Sequence, residues 1–246
     1  MENLLRISKF LANQGICSRR KAEEFIAKGL VSVDGKIVTE QGVKINPETQ
    51  KVKILEKAEQ ILQKQFTIIL NKPVGYVSNL PLKGEIEAKR LITKKNSFDY
   101  TKKLNEILKN VKSFSVAGRL DKDSRGLLVL TQDGTVAKKI IGENSEIEKE
   151  YFVKVSGEIT EEKIRRMSNG MRLKDIQLKP CRIHRTGKQT LRFILREGKN
   201  RQIRRMCQKV FLKVEDLERV RVGGIRLEAL PEGKWKILEN SELSSL

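Results

Sequence analysis

The sequence predicts an α+β fold: a small basic unit, then a larger one with a mixed, largely antiparallel sheet and flanking helices. Three observations carry this. Short segments of alternating apolar and polar residues recur along the chain, the pattern of half-buried strands. Helical segments lie between them without the regular strand–helix–strand alternation of a parallel sheet. The texture also changes near residue 66, where short elements rich in Arg and Lys give way to longer apolar strands. The division expected is 4–55 for the first unit, a polar linker over 56–65, and 66–241 for the second.

The elements follow in order. "RISKFLANQGI" places Ile7, Phe10 and Leu11 at helical spacing, and Gly15 can end that helix. Ser18 is an N-cap for "RRKAEEFIAKG", with Phe25 and Ile26 facing inward and Gly29 as the stop. "LVSVDGKIV" is a hairpin turning at Asp34-Gly35, and "VKI" at 43–45 with "KVKIL" at 51–55 should complete one small sheet. Such a unit of some 50 residues is near the lower limit for folding alone. "FTIIL" is then a buried strand, and "NKPVGYVSN" a turn-rich loop leading to another. Residues 82–112 are rich in lysine with little periodicity, apart from a short helix at "KLNEILKNV". "SFSVAGRLD" and "GLLVLTQDG" are strands around a loop, 135–141 is a helix, and "EKEYFVKVSG" alternates as a strand. "TEEKIRRMSNG" is a helix capped by Thr160, with acids in its first turn. "CRIHRTG" and "TLRFILREG" are strands, "KNRQIRRMCQKVF" is a helix, and "VEDLERVRVGGIRL" and "GKWKILE" close the fold.

Composition narrows the function. Lys and Arg number 51 against 31 Asp and Glu, a net charge of +20. That excess points to a polyanionic partner, nucleic acid above all. No apolar stretch approaches the ~18 residues a membrane span needs, so no membrane partner is expected. "MENLLRISKF" lacks the apolar core of a secretory signal. Cys17, Cys181 and Cys207 are odd in number, far apart and without a C-x-x-C pair. They support neither a disulfide framework nor a zinc site and read as reduced thiols of a cytoplasmic protein. With His184 as the single histidine, histidine catalysis has almost no material, and neither a cofactor nor a metal is expected.

Basic residues cluster where a phosphate would be welcome. Arg6 and Lys9 lie on the first helix, and Arg19, Arg20 and Lys21 open the second beside Ser18, where free backbone N–H groups also favour anions. The alternative is a solvated face. Lys72, in the "NKPVGYVSN" loop, projects as an RNA contact or as an ordinary turn lysine. Arg201, Arg204, Arg205 and Lys209 share one helix face, again for phosphate or for solvent. In "GRLDKDSRGLLVLT", Arg119 and Asp121 are two apart and share a face of an extended chain. A carboxylate at the mouth of a buried strand is partly desolvated and wants a cation nearby. On physics alone Asp121 could be a loop salt bridge with Arg119, and Asp123 is equally available. Tyr151 alone reads as a core tyrosine.

Two resemblances sharpen these readings. "RISKFLANQGICSRRKAEEFIAKGLVSVDGKIVTEQGVKI" resembles an S4 domain, the RNA-binding module named after a small-subunit ribosomal protein. "GRLDKDSRGLLVLTQDG" resembles the catalytic motif of the RsuA/RluB/RluE/RluF family of pseudouridine synthases. "NKPVGYVS", "KEYFVKV" and "REGKNRQIRRMCQKVFLKVEDLERVRVGGIRL" follow that family in order, so the likeness runs from about residue 4 to about 240. The wording "RQIRRMC…LERVR" is most similar to the RluF branch.

The resemblance implies isomerisation of a uridine in RNA to pseudouridine, with no cofactor and no metal. It implies Asp121 as the essential carboxylate, acting on the sugar, on the base, or as a base toward a ribose proton. Tyr151 would lie against the flipped uracil, Lys199 would be the cation paired with Asp121, and Ile203 would pack on the base. Arg119 would order the loop or touch the RNA backbone. Asp123 and His184 receive no chemical role, and residues 82–112 are either a substrate-specific insertion or a tolerated surface loop. The expected substrate is 23S rRNA, with 16S rRNA or tRNA as alternatives, and the protein is expected to act as a monomer. The rival class is a non-catalytic RNA-binding protein of ribosome assembly, which would have no chemical need for Asp121, Tyr151 and Lys199 together.

Overall fold

A computed structural model describes residues 4–99, 101–174 and 176–246. In the N-terminal unit the helices Ile7–Asn13 and Arg19–Ala27 bury Ile7, Leu11, Ala22, Phe25 and Ile26 against a small sheet. The Ser18 hydroxyl accepts from the Lys21 N–H at 3.2 Å and so caps the second helix. The sheet has three strands, with Val31–Val33 between Lys36–Val38 and Val52–Ile54. Lys44–Ile45, expected in that sheet, instead pairs with Leu5–Arg6 in a separate ribbon. Residues 56–65, polar enough to read as a linker, hold the helix Glu56–Gln63, and its Ala58 is wholly buried in the N-terminal core. One apolar stripe on a polar helix sufficed; composition averaged it away.

The larger unit is built on one sheet. Its main strands run Arg182–Gly187, Thr190–Leu195, Lys149–Ser156, Lys213–Val222, Arg125–Thr131, Thr67–Lys72 and Trp235–Ile237 in spatial order. Neighbours are antiparallel except Arg125–Thr131 beside Lys213–Val222. Both ends of Arg125–Thr131 are used on the same edge. Arg125 and Gly126 pair with Glu218 and Arg219, while Val129 to Thr131 pair with Ser115–Ala117. The sheet therefore forks between Gly126 and Val129. The chain from Gly118 to Ser124, which holds both acids of the motif, runs through the mouth of this fork.

Residues 82–112 are not a free surface loop. Ala88, Ile92, Leu104 and Ile107 are buried in the main core. Trp235 at the sheet edge holds them there: its indole N–H donates to the Thr93 carbonyl at 3.0 Å, and its own carbonyl accepts from the Phe98 N–H at 2.8 Å. The expected short helix of the segment is Leu104–Lys109; most of the segment's lysines face water while its few apolar residues anchor it. The three cysteines are unpaired, and burial pushes the thiols up, to about 11 at Cys17 and about 12 at Cys181 and Cys207. No helix among the described residues is long and apolar enough to cross a membrane.

This packing predicts that Ile107→Ala, at a wholly buried position, destabilises the larger unit by about 3 kcal/mol. Urea unfolding followed through the lone tryptophan, Trp235, measures it; a change within noise would mean the segment is not part of the core.

Candidate active site

The site begins with a conflict in the main chain. At the fork the carbonyls of Gly118, Arg119 and Leu127 turn away from regular strand pairing. The Arg219 guanidinium, 1 % exposed, fills the gap and donates to Leu127 O at 2.8 Å, Gly118 O at 2.8 Å and Arg119 O at 3.5 Å. The planar, five-donor fork of arginine suits several acceptors at once. Two glycines make room for it. Gly126 has φ 103°, and a Cβ there would lie 2.4 Å from the Arg219 carbonyl oxygen. Gly118 has φ 93° and turns the chain into the loop beside the same guanidinium.

Arg219 also stands in a row across the sheet. Its cross-strand partners are Gly126 on one side and Tyr151 on the other, and the row continues to Phe193 and to Lys72. Tyr151 is 8 % exposed. A bulge between Glu150 and Tyr151 adjusts the strand at this point. Glu150 is clamped by Arg192 and Arg221, each at 2.7 Å. Burial works against its charge, but the two arginine bonds prevail and hold its carboxyl below the usual range.

The loop itself is clasped by "NKPVGYVSN". The Ser78 hydroxyl donates to Leu120 O at 2.7 Å and accepts from Leu120 N–H at 2.8 Å, and Gly75 N–H donates to Lys122 O at 2.8 Å. Asp121 is thus bracketed on both sides by main-chain contacts. Beyond it, Arg125 holds Asp216 and Glu218, each at 2.8 Å.

The two acids of the motif have different surroundings. Asp123 is bound by Arg201 through two bonds of 2.9 and 2.8 Å and approached by Arg204 at 3.3 Å, which lowers its pKa. The one ion pair of Asp121 among the described residues is to Arg201, at 3.7 Å. Asp121, Lys149, Tyr151, Lys199, Ile203, Leu217 and Arg219 line one cavity of about 630 Å³, large enough for a nucleotide.

Several expectations change. Lys199 lines the cavity but forms no ion pair with Asp121 among the described residues; Arg201 is the nearby cation, because its left-handed backbone (φ 48°) turns it toward the loop before the helix Gln202–Lys209 begins. Lys72 does not project toward RNA. It is 0 % exposed, and its ammonium donates to Pro73 O at 2.8 Å and Tyr76 O at 2.7 Å. Burial pushes its pKa down to about 8, against the opposing pull of Asp123 and Asp121. Ser18 is occupied as a helix cap. Arg19, Arg20, Lys9 and Arg6 lie on the N-terminal unit with exposed or half-exposed side chains, as does Lys21, which pairs with Glu24 at 3.0 Å. Arg119 is exposed at the cavity rim, and Arg205 is half-buried.

Four participants were not singled out from the sequence. Arg219, Ser78 and Lys149 have roles that only the forked topology reveals. Lys149 is 6 % exposed, donates to Ile147 O at 3.1 Å, and burial beside Arg219 pushes its pKa down to about 8. Gln202 accepts from Lys199 N–H at 2.9 Å and donates to Glu197 at 2.8 Å, shaping the turn before the helix. Its position directly after Arg201 was the only available signal. Among the described residues no group of three or more His, Cys, Asp or Glu is placed to hold a metal.

Comparison with known proteins places this arrangement. The family described as RNA pseudouridylate synthase matches residues 66–209, and the S4 domain matches residues 5–51. The dual-specificity RNA pseudouridine synthase RluF of Escherichia coli K12 is 35% identical over 250 residues, covering 100% of this chain and 79% of its own. An RNA pseudouridine synthase of Aquifex aeolicus is 36% identical over 98% of this chain and 93% of its own, and ribosomal large subunit pseudouridine synthase B of Bacillus subtilis is 33% identical over 98% and 95%. A crystal structure of a pseudouridylate synthase superposes with a TM-score of 0.67 at 26% identity, covering 98% of this chain and 99% of that one.

Two outcomes follow from the geometry. Arg219→Lys keeps a charge but loses the fork of donors, and should cost about 3 kcal/mol in urea unfolding. An unchanged midpoint would show that the carbonyls find other donors. For Lys72 the unfolded chain binds more protons than the folded one between about 8 and the ordinary 10.5. Stability should therefore rise with pH across that window, the penalty being fully present below it. Lys72→Met should flatten this part of the profile; an unchanged slope would assign it elsewhere.

Proposed function

Because the chain belongs to the RNA pseudouridylate synthase family, we propose that it converts a uridine of 23S rRNA to pseudouridine, with Asp121 as the reacting carboxylate. The observation that carries this is the separation of the two acids: arginines bind Asp123 closely, whereas Asp121 stands in the cavity with one ion pair among the described residues, to Arg201 at 3.7 Å. The large-subunit RNA is favoured by the B. subtilis relative, named for the ribosomal large subunit. The E. coli relative is called dual-specific, so 16S rRNA and tRNA are the alternatives to be examined beside it.

The reaction breaks the bond from ribose C1′ to uracil N1 and forms one from C1′ to C5. The proton leaves C5, N1 gains one, and no atom is added or lost. The uridine must first leave its stack and enter the cavity. Asp121 enables the cleavage, carboxylates being well suited to glycosidic chemistry. Tyr151 lies against the uracil, beside the C5 proton that must depart. Leu217 and Ile203 give the base apolar walls. Lys199, also on the cavity wall, meets the nucleotide's negative charge rather than holding Asp121. Arg119, exposed at the rim, contacts the RNA backbone, and Arg201 and Arg204 hold the loop through Asp123. The S4 domain, over about 4–55, supplies further backbone contacts through Arg6, Lys9, Arg19, Arg20 and Lys21, while 66–241 carries the chemistry. Binding through such cations weakens steeply with salt.

Asp121→Asn should abolish pseudouridine formation, while Asp123→Asn should keep a measurable rate. Mapping pseudouridine in 23S rRNA, 16S rRNA and tRNA from a deletion strain complemented with each form decides it. A site restored by Asp121→Asn would remove Asp121 from the chemistry; a site lost only from 16S rRNA or tRNA would move the substrate. Purified protein that binds these RNAs and leaves all of them unmodified would favour a binding role.

A further inference from the structure

The turn after Ser78 carries a feature that the chemistry leaves unused. Leu80 and Leu82 are 78% and 75% exposed, on either side of Pro81. Leu80 also has φ 52°, a left-handed conformation that leucine seldom takes and that persists only where the surroundings enforce it. The enforcement is visible at both ends. Ser78 is bonded twice to Leu120, the residue before Asp121. Leu82 N–H donates to the Glu85 carboxylate at 3.1 Å, and that carboxylate is held at 3.2 Å by Lys122, the residue after Asp121. The tip is therefore tied to the carboxylate loop at both ends.

The tip also borders the cavity. Asn79, its first residue, lines the wall, and its side-chain oxygen is shielded from water with no hydrogen-bond partner among the described residues. Exposed Arg119 lines the same cavity as Asn79, exposed Lys83 follows Leu82 directly, and exposed Lys122 reaches the tip through its pair with Glu85. An apolar point next to the cavity with the exposed cations Lys83 and Arg119 nearby, in a chain of net charge +20, fits a polyanion that also offers apolar faces. A nucleic acid with unstacked bases is such a partner. A protein helix or a lipid surface would need a wider apolar face than two leucines provide.

We propose that Leu80 and Leu82 form a wedge that packs against the bases next to the target uridine once that uridine has left the stack. Leucine serves this purpose at kinked nucleic-acid steps, where an apolar side chain replaces the lost stacking partner. The inference rests on reading the cavity as a uridine site. Because the wedge and Asp121 hang on the same bonded support, the side chains that hold the stack open also help set the distance from the stack to the reacting group.

Photo-leucine at position 80 or 82, irradiated on in vitro transcribed 23S and 16S rRNA, should give adducts on nucleobases. Adducts on ribose alone, no RNA adduct, or adducts confined to ribosomal protein when intact subunits are irradiated would overturn the wedge. This readout needs no turnover, so a wild-type protein that forms no pseudouridine would refute the proposed reaction while the contact is still read by its adducts. In steady state, the double variant Leu80→Ala/Leu82→Ala should lower kcat about tenfold with KM changed by no more than about twofold, and Leu80→Met/Leu82→Met should restore it. An unchanged kcat, or an equal loss with methionine, would count against a packing role.

Discussion

Where the sheet forks, three main-chain carbonyls are left without strand partners at the wall of the cavity, and the arrangement is held by the group that donates to them. A neutral amide side chain has two donors and could satisfy two at most. The Arg219 guanidinium reaches all three from within its own strand, and its charge, met by carbonyl dipoles rather than by a carboxylate, adds to the field of the cavity. The fork, the bend at Gly118 and the position of Asp121 follow from it. Gly126 follows too, since the two backbones must approach closely for Arg219 to stand where it does. The cross-strand pairing of Arg219 with Tyr151 then sets the tyrosine beside the loop without a separate device.

Charge is distributed by the same logic. Asp123 takes the arginines, keeping the loop in place, while Asp121 is left to the cavity. Cations that could be buried are buried at a cost: Lys72 and Lys149 both titrate near 8 because burial disfavours their charge. Lys72 is kept by two carbonyls of the loop that clasps the carboxylate. The remaining positive charge lies outside, over both units, where it can meet a polyanion.

Much of this could be read from residue order. Alternation gave the strands of the larger sheet, and capping residues such as Ser18 and Thr160 marked helix starts, because both signals are local. The segment "GRLDKDSRGLLVLT" was recognisable as a site through resemblance, but local physics could not divide Asp121 from Asp123. That division comes from Arg201, some 80 residues later in the chain, and from its left-handed backbone, neither of which leaves a periodic trace. Arg219 was hidden for a similar reason: in "VEDLERVRV" it is one charge among several, and only the fork makes it the buried one. The helix Glu56–Gln63 and the core anchoring of 82–112 went unread because their few apolar residues are diluted by polar ones, although the short helix at Leu104–Lys109 was legible.

The Ser78–Leu120 clasp closes a long excursion of the chain. Its two bonds bring the ends together at 2.7 and 2.8 Å, whatever the chain does in between. Closing a longer loop adds little entropy, since the cost grows only with the logarithm of length. A lineage could therefore lengthen, shorten or rewrite the part of the excursion between Glu87 and Phe114, provided it kept a buried anchor to the sheet, without disturbing the carboxylate next to the clasp. The geometry of the reaction is insulated from the part of the chain most free to change, so the same chemistry can be carried to a different RNA.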